Sequence, residues 1–352
     1  MAQLKYHEQE DRKIYIKMRE LLKELPDFCR MFFRGIEPRT QSRTRLAYAY
    51  DLSVFFQFLI HENPVYKHYT PRDFRLEDIE LVTPTDLEEY MEYLKYRPDE
   101  DEGEIVNKES GIKRKISSLK SFYNYYYENE MIEKNPAALV KLPKIRDKEI
   151  IRLDYNEVAR LLDEVDSGDD LTKQQKVFHE KTRVRDLAML SLLLGTGMRI
   201  SECVGIDLQD IDLEETAVRI HRKGGKEETV YFSDEVAEPV AIYLEERKLA
   251  VPETGSENAL FLSLQNKRMS VRSAEKMVKK YASVVTPLKH ITPHKLRSTY
   301  GTHLYQETGD IYLVADVLGH SDVNTTKKHY AAIDEDRRRA ARKAVKLRED
   351  YN

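Results

Sequence analysis

The chain has 352 residues, enough for two domains of ordinary size, with 58 basic and 62 acidic side chains and a formal net charge of −4. Charged residues make up 34% of it, no apolar run approaches the roughly 20 residues that a bilayer-spanning helix needs, and the amino terminus lacks the apolar stretch of a secretory signal. Composition therefore argues against membrane insertion and for a cytoplasmic protein, and the two cysteines, Cys29 and Cys203, form no C-x-x-C pair that would suggest a disulfide framework or thiolate metal site.

The charges are segregated along the chain. Acid gathers over 77–104 and ends in PDEDEGE, whereas 113–120, 141–152, 267–297 and the tail RRRAARKAVK are basic. For a phosphate backbone the placement of charge matters more than its sum, although any one such run also fits an ordinary solvated helix face.

The first part of the chain predicts helices. In SRTRLAYAYDLSVFFQFLIHEN, the residues Leu46, Ala49, Leu52, Phe55, Phe56 and Leu59 recur at three-to-four spacing. Thr83 to Asp86 can open the next helix, running to about Tyr96. In GIKRKISSLKSFYNYYYENEM, Ile112, Ile116, Leu119, Phe122, Tyr123 and Tyr126 share one side and Lys113, Arg114, Lys115 and Lys120 fall largely on others, so the helix can pack on one stripe and lay a basic one along DNA. Then KNPAALVKLPKIRDKEIIR, punctuated by Pro136 and Pro143, reads as a basic, extended linker. The expected division is a helical domain over 1–142, a linker over 143–152 and a mixed domain over 153–352.

In the second part TAVRIHRKGGKEETVYFS predicts a β-hairpin turning around Gly224-Gly225, and the rest reads as helices. After residue 330 comes a charged helix with a narrow apolar seam at Ala340, Ala341, Ala344 and Val345, with Leu347 as a further candidate, a surface that seeks a partner.

Four stretches in this part could carry chemistry. In LLLGTGMRISECVGI an apolar helix ends on a glycine turn and Arg199 falls at the start of the next helix, a poor place for a cation unless an anion satisfies it; Glu202, one turn on, could orient it, and an ordinary salt bridge is the competing reading. RKGGKEE holds Lys223 at a hairpin tip, where lysines are also common for no functional reason. In ITPHKLRSTYGTHL, Thr292 suits an N-cap and Pro293 the first helical position, which sets His294 and Arg297 one turn apart on one face at a helix start suited to a phosphate. Finally, LGHSDVNTTKKHY places His320 after an apolar helix closed by Gly319, with Tyr330 ten positions on.

Arg199 in GTGMRISE, Lys223 in RKGGK, His294 and Arg297 in TPHKLR, His320 in LGHSDVNTT and Tyr330 resemble, in order, the catalytic set of the tyrosine recombinases of the phage integrase family. RKGGK and the stretch from SLQNKRMS to EKMVKKY are most similar to Xer-type recombinases of Gram-positive bacteria, in particular the XerS-like ones. The chain departs from many relatives at Ser298, where they carry a second histidine.

The resemblance implies a mainly α fold with a small β-sheet or hairpin in the carboxy-terminal domain: a helical core-binding domain that clamps DNA, followed by an α+β catalytic domain ending in an exchange helix. It further implies a metal-independent DNA strand-transferase with no cofactor, and no H-E-x-x-H, zinc spacing or P-loop is present. The implied partners are a double-stranded recombination site, a homotetramer on two such sites and a regulatory division or accessory protein. Arg199 and Arg297 would clamp the phosphate, His294 would assist deprotonation of Tyr330 or bind the phosphate, His320 would donate to a non-bridging oxygen and Lys223 would protonate the leaving oxygen. Xer-type chromosome dimer resolution is the expected role, with integration of a mobile element, a topoisomerase-like relaxing enzyme and a non-catalytic DNA-binding protein as the alternatives. Lys115, Lys120 and Lys226 are expected phosphate contacts, and Arg272, early in a helix that Ser270 can cap, an expected base contact.

Overall fold

The computed structural model describes residues 5–99, 103–144, 151–222, 225–319 and 323. The chain divides into two compact units, Met1–Lys148 and Glu149–Asn352.

The first unit is built on the helices Tyr6–Glu24, Ser42–Glu62 and Glu109–Glu128. Apolar residues at three-to-four spacing form one face of each of the latter two helices, and Leu52, Phe55, Phe56, Ile116, Leu119 and Phe122 are 0% exposed in one core. Phe122 meets Phe32 and Tyr126 edge to face at 5.3 and 5.1 Å, so the aromatic stripe of the last helix is core rather than a stacking platform. Two of the buried phenols are satisfied, Tyr123 donating to the Ile79 carbonyl at 2.9 Å and Tyr126 to that of Phe28 at 2.7 Å, whereas the hydroxyl of Tyr90, equally buried, has no hydrogen-bond partner.

Two local expectations change here. The helix opening at Thr83 is Pro84–Tyr93, capped reciprocally by Thr83 and Asp86, but it stops short of Tyr96. Instead, Tyr96–Asp99 pairs antiparallel with Gly103–Val106, because Pro98 disfavours helical backbone at the residue before it and Gly103, at φ +83°, takes the left-handed conformation of the turn. The stretch after Lys134, expected to be extended, begins with the short helix Pro136–Leu139, whose cap Asn135 accepts from the Ala138 N–H at 3.0 Å. Ala137 and Val140 are buried in the core of the first unit. Of the linker expected over 143–152, residues 145–150 lie outside the described residues.

The second unit is mixed. Helix Arg183–Thr196 runs through its core, with Ala188, Met189, Leu190 and Leu192 each 0% exposed. A three-stranded antiparallel sheet orders Ile211–Asp212, Ala217–His221 and Glu227–Tyr231 in sequence, with Val218 opposite Val230 and Ile220 opposite Glu228. Helices Tyr155–Ser167, Lys173–His179 and Asp234–Leu249 also belong to this unit, and its described part closes with helices Val271–Val285, Pro293–Thr308 and Ile311–Val317. The last is capped by Asp310, which accepts from Tyr312 and Leu313, and it packs Val314 and Leu318 against Tyr305. Among the described residues no helix is long and apolar enough to cross a membrane. Cys29 and Cys203 are free, fully buried thiols, and burial pushes both thiols up from their ordinary pKa.

Candidate phosphodiester site

The site begins at a glycine turn. Helix Arg183–Thr196 ends on Gly197, whose φ of +62° is left-handed and whose N–H donates back to the Leu193 carbonyl at 3.1 Å. The approach at Gly197 is close as well: a Cβ there would stand 2.4 Å from Tyr300 Cδ1 and 2.9 Å from Leu318 Cδ2. Glycine is thus required both by conformation and by space, and the chain can turn there directly into Arg199.

Arg199 occupies the cap position of the short helix Ile200–Val204. Its backbone N–H donates to Glu202 Oε2 and its Nη1 to Glu202 Oε1, each at 2.7 Å. Glu202 is 6% exposed, so this carboxylate is a buried, charged fixture and the guanidinium is held at both ends of its residue. Nη2 reaches the Gly319 carbonyl at 3.4 Å, yet 36% of the Arg199 side chain is exposed, which leaves a face of the guanidinium open to a ligand.

Arg297 lies in the second turn of helix Pro293–Thr308 and is 5% exposed. Its Nη1 donates to the Gly197 carbonyl at 2.7 Å, and its Nη2 to the carbonyl of Leu318. The two arginines therefore meet consecutive carbonyls, one and two positions before His320. His294 is exposed in the first turn of the same helix, one turn before Arg297. Pro293 takes the first helical position, but Thr292, although extended at the cap position, makes no side-chain capping bond; the expected cap is corrected to a backbone one. Lys223, His320 and Tyr330 lie outside the described residues.

A third arginine, outside the expected catalytic set, joins the cluster. Arg222, 7% exposed, donates to the Val317 and Leu318 carbonyls at 2.8 and 3.1 Å and to Glu228 at 2.8 Å. No periodicity or cap pattern singles it out, since it sits between a strand and a turn.

The cations expected on DNA differ in presentation. Arg272 and Lys226 are exposed, Arg272 in the first turn of a helix that Ser270 caps by accepting from the Ser273 N–H at 3.1 Å. Lys120 is half-buried, with its ammonium 3.5 Å from the Ala138 carbonyl. Lys115 is already engaged: its ammonium is 3.3 Å from Asp51, a carboxylate 1% exposed that also takes two bonds from Arg114. Burial, partly offset by Asp51, holds the Lys115 pKa below the usual lysine range. Its neighbour Arg114, with 49% of its side chain exposed, faces solvent far more openly than Lys115, at 11%.

Fold and site together describe a mixed α/β unit whose buried arginines gather around one helix end, with a half-open guanidinium beside it. The phage integrase family model matches residues 151–337. The tyrosine recombinase XerC of Caldanaerobacter subterraneus subsp. tengcongensis is 33% identical over 318 residues, covering 88% of this chain and 83% of that one. The tyrosine recombinase XerD of Staphylococcus epidermidis is 34% identical over 216 residues, 61% of this chain and 70% of that one. In fold the chain is similar to the Tn1549 transposon integrase in complex with transposon right end DNA, with a TM-score of 0.66 at 20% identity, covering 90% of this chain and 99% of that one. The chain belongs to the phage integrase family, as a tyrosine recombinase of the Xer and integrase type.

Proposed function

We propose that this protein is a site-specific recombinase of the Xer type that cuts and rejoins double-stranded DNA through a 3′-phosphotyrosyl intermediate on Tyr330, acts in the cytoplasm as a homotetramer on two sites, and resolves chromosome dimers. The observation that carries the reading is the convergence of Arg199 and Arg297 on the carbonyls of Leu318 and Gly319, immediately before the segment that holds His320 and Tyr330. The Xer names of the sequence relatives favour dimer resolution over integration of a mobile element.

The chemistry follows from the charge on phosphorus. The Tyr330 oxygen attacks and forms an O–P bond while the P–O5′ bond breaks, and the pentacovalent transition state gathers negative charge on its non-bridging oxygens. Planar, permanently charged guanidiniums suit that demand, and the open face of Arg199 is the one available to the phosphate. Arg297, whose two terminal nitrogens already hold backbone carbonyls, contributes its charge and frames the site. The phenol, with an ordinary pKa near 10, loses its proton with help from this positive field and from His294, unless His294 serves the phosphate instead. His320 donates to a non-bridging oxygen and Lys223 protonates the departing 5′ oxygen. The phosphotyrosine keeps the energy of the phosphodiester, so a 5′ hydroxyl can reverse the step without a nucleotide cofactor. The helical unit is the proposed DNA clamp, contacting the duplex through Lys120, and the second unit contacts it through Lys226 and Arg272.

The test is covalent capture on genomic DNA followed by sequencing of the trapped fragments. A Tyr330-dependent adduct, absent in Tyr330→Phe, at one chromosomal locus is the expected result. Adducts confined to the ends of a mobile element would replace dimer resolution by integration, relaxation of plasmids without paired sites would indicate a topoisomerase-like enzyme, and no adduct would overturn the chemistry.

A further inference from the structure

Helix Ile311–Val317 ends just before His320, and the last carbonyls of a helix lack intrahelical donors. Here those of Val317 and Leu318 accept from the two terminal nitrogens of Arg222 at 2.8 and 3.1 Å. A cation belongs at that end of the helix dipole. The same guanidinium takes Glu228 at 2.8 Å and lies 3.6 Å from Oε2 of Glu202, the carboxylate that holds Arg199. Gly319 closes over it: a Cβ at that glycine, where φ is +60°, would stand 2.9 Å from Arg222 Cζ. The backbone of Arg222 also belongs to the hairpin, its N–H donating to the Lys226 carbonyl at 2.8 Å and its carbonyl accepting from the Gly225 N–H at 3.1 Å.

We infer that Arg222 is a positioning residue of the phosphodiester site: one buried guanidinium ties the end of strand Ala217–His221 to the Val317–Gly319 turn and to Glu202. Lys223 is its neighbour in the chain, Arg199 shares Glu202 with it, and His320 follows the turn that it holds. The backbone next to two of the expected catalytic positions and the carboxylate that holds the third thereby share one guanidinium. A lysine, a point charge on a flexible stem, cannot span two carbonyls and a carboxylate in that way. The arrangement is also a poor one for stability alone. It buries a charge and leaves the Arg222 Nε without a hydrogen-bond partner, where apolar packing would serve the core as well. What the group supplies is geometry.

The inference rests on the proposed DNA-cleaving reading. Its test uses full-length Arg222→Lys on a nicked duplex carrying the site captured with the wild-type protein. Single-turnover adduct formation at saturating DNA is expected to fall roughly 10–100-fold, the scale of a misplaced reacting group, while DNA affinity and the cooperative melting transition are kept. Adduct formation at the wild-type rate overturns the inference, as does a loss of DNA affinity that accounts for the whole decrease. Should Arg222→Lys fail to fold, Glu228→Gln loosens the guanidinium while leaving it Glu202, 3.6 Å away, as a counter-charge. The same split between rate and affinity is expected there, and a wild-type rate overturns the inference again. A wild-type protein that forms no adduct is a different failure, which removes the DNA-cleaving reading and this inference with it.

Discussion

Arg297 and Arg199 donate to consecutive backbone oxygens, those of Leu318 and Gly319, although they come from different helices and differ in exposure. Arg297 is enclosed and holds two carbonyls; Arg199 has one side on Glu202 and another toward solvent. The two substitutions should therefore separate. Arg297→Ala strands two buried carbonyls and is expected to cost about 2–5 kcal/mol of stability, read as a lowered denaturation midpoint. Arg199→Ala leaves the buried Glu202 with Arg222, 3.6 Å away, as its remaining cation and is expected to cost on the order of 1–3 kcal/mol, yet to slow adduct formation by about 10²–10³ through loss of charge at the phosphate. Equal stability losses in the two variants would contradict this division of labour.

Gly197 carries a sharper expectation. Its left-handed φ and the closeness of Tyr300 and Leu318 leave no room for a methyl group. Gly197→Ala should destabilise the protein by at least about 1–2 kcal/mol from conformation alone, and by more if Tyr300 cannot shift. Because Arg297 bonds the Gly197 carbonyl, adduct formation should fall with it. Thermal melting and the single-turnover rate, measured on one preparation, check both.

Salt dependence distinguishes cations that touch DNA from those that serve the fold. If Lys120, Lys226 and Arg272 each neutralise a phosphate, alanine at any one of them should reduce the slope of log affinity against log salt by about 0.9. Lys115→Ala should leave that slope unchanged. Instead, by removing one partner of the buried Asp51, it should cost on the order of 1–3 kcal/mol of stability. Binding titrations over a salt series together with urea unfolding report the two effects.

His303 supplies a pH dependence. Its ring stacks on Tyr155 with centroids 3.9 Å apart, and burial, assisted by Arg152 and opposed by its bond with the Leu153 backbone and by Asp154 and Glu307, holds its pKa below the ordinary value near 6.5. The unfolded chain then binds this proton more readily than the folded one. The stability tied to neutral His303 is present above about pH 6.5 and is lost as pH falls toward the folded pKa. His303→Phe, which keeps an aromatic ring on Tyr155, should flatten the decline of melting temperature between about pH 7 and pH 5.5 relative to wild type. An identical slope in the two proteins would exclude His303 as the source.

What the sequence determined by itself was local or ordered along the chain. Three-to-four spacing marked the helices around Leu52 and Leu119, the residues flanking Gly224-Gly225 marked the hairpin, and the order of short motifs from Arg199 to Tyr330 marked the family, because each is expressed within a turn or two of backbone. The hairpin at Tyr96–Asp99 escaped, since four residues beside an acidic run carry little periodicity. Tertiary structure alone decided which cation meets which acceptor. Lys115 is taken by a carboxylate 64 positions away and Arg222 by a carbonyl 96 positions away, and one basic side chain in a sequence resembles another until folding buries its neighbour. A buried carboxylate or an unpaired helix end selects its partner by distance and desolvation, and neither quantity exists before the chain has closed on itself.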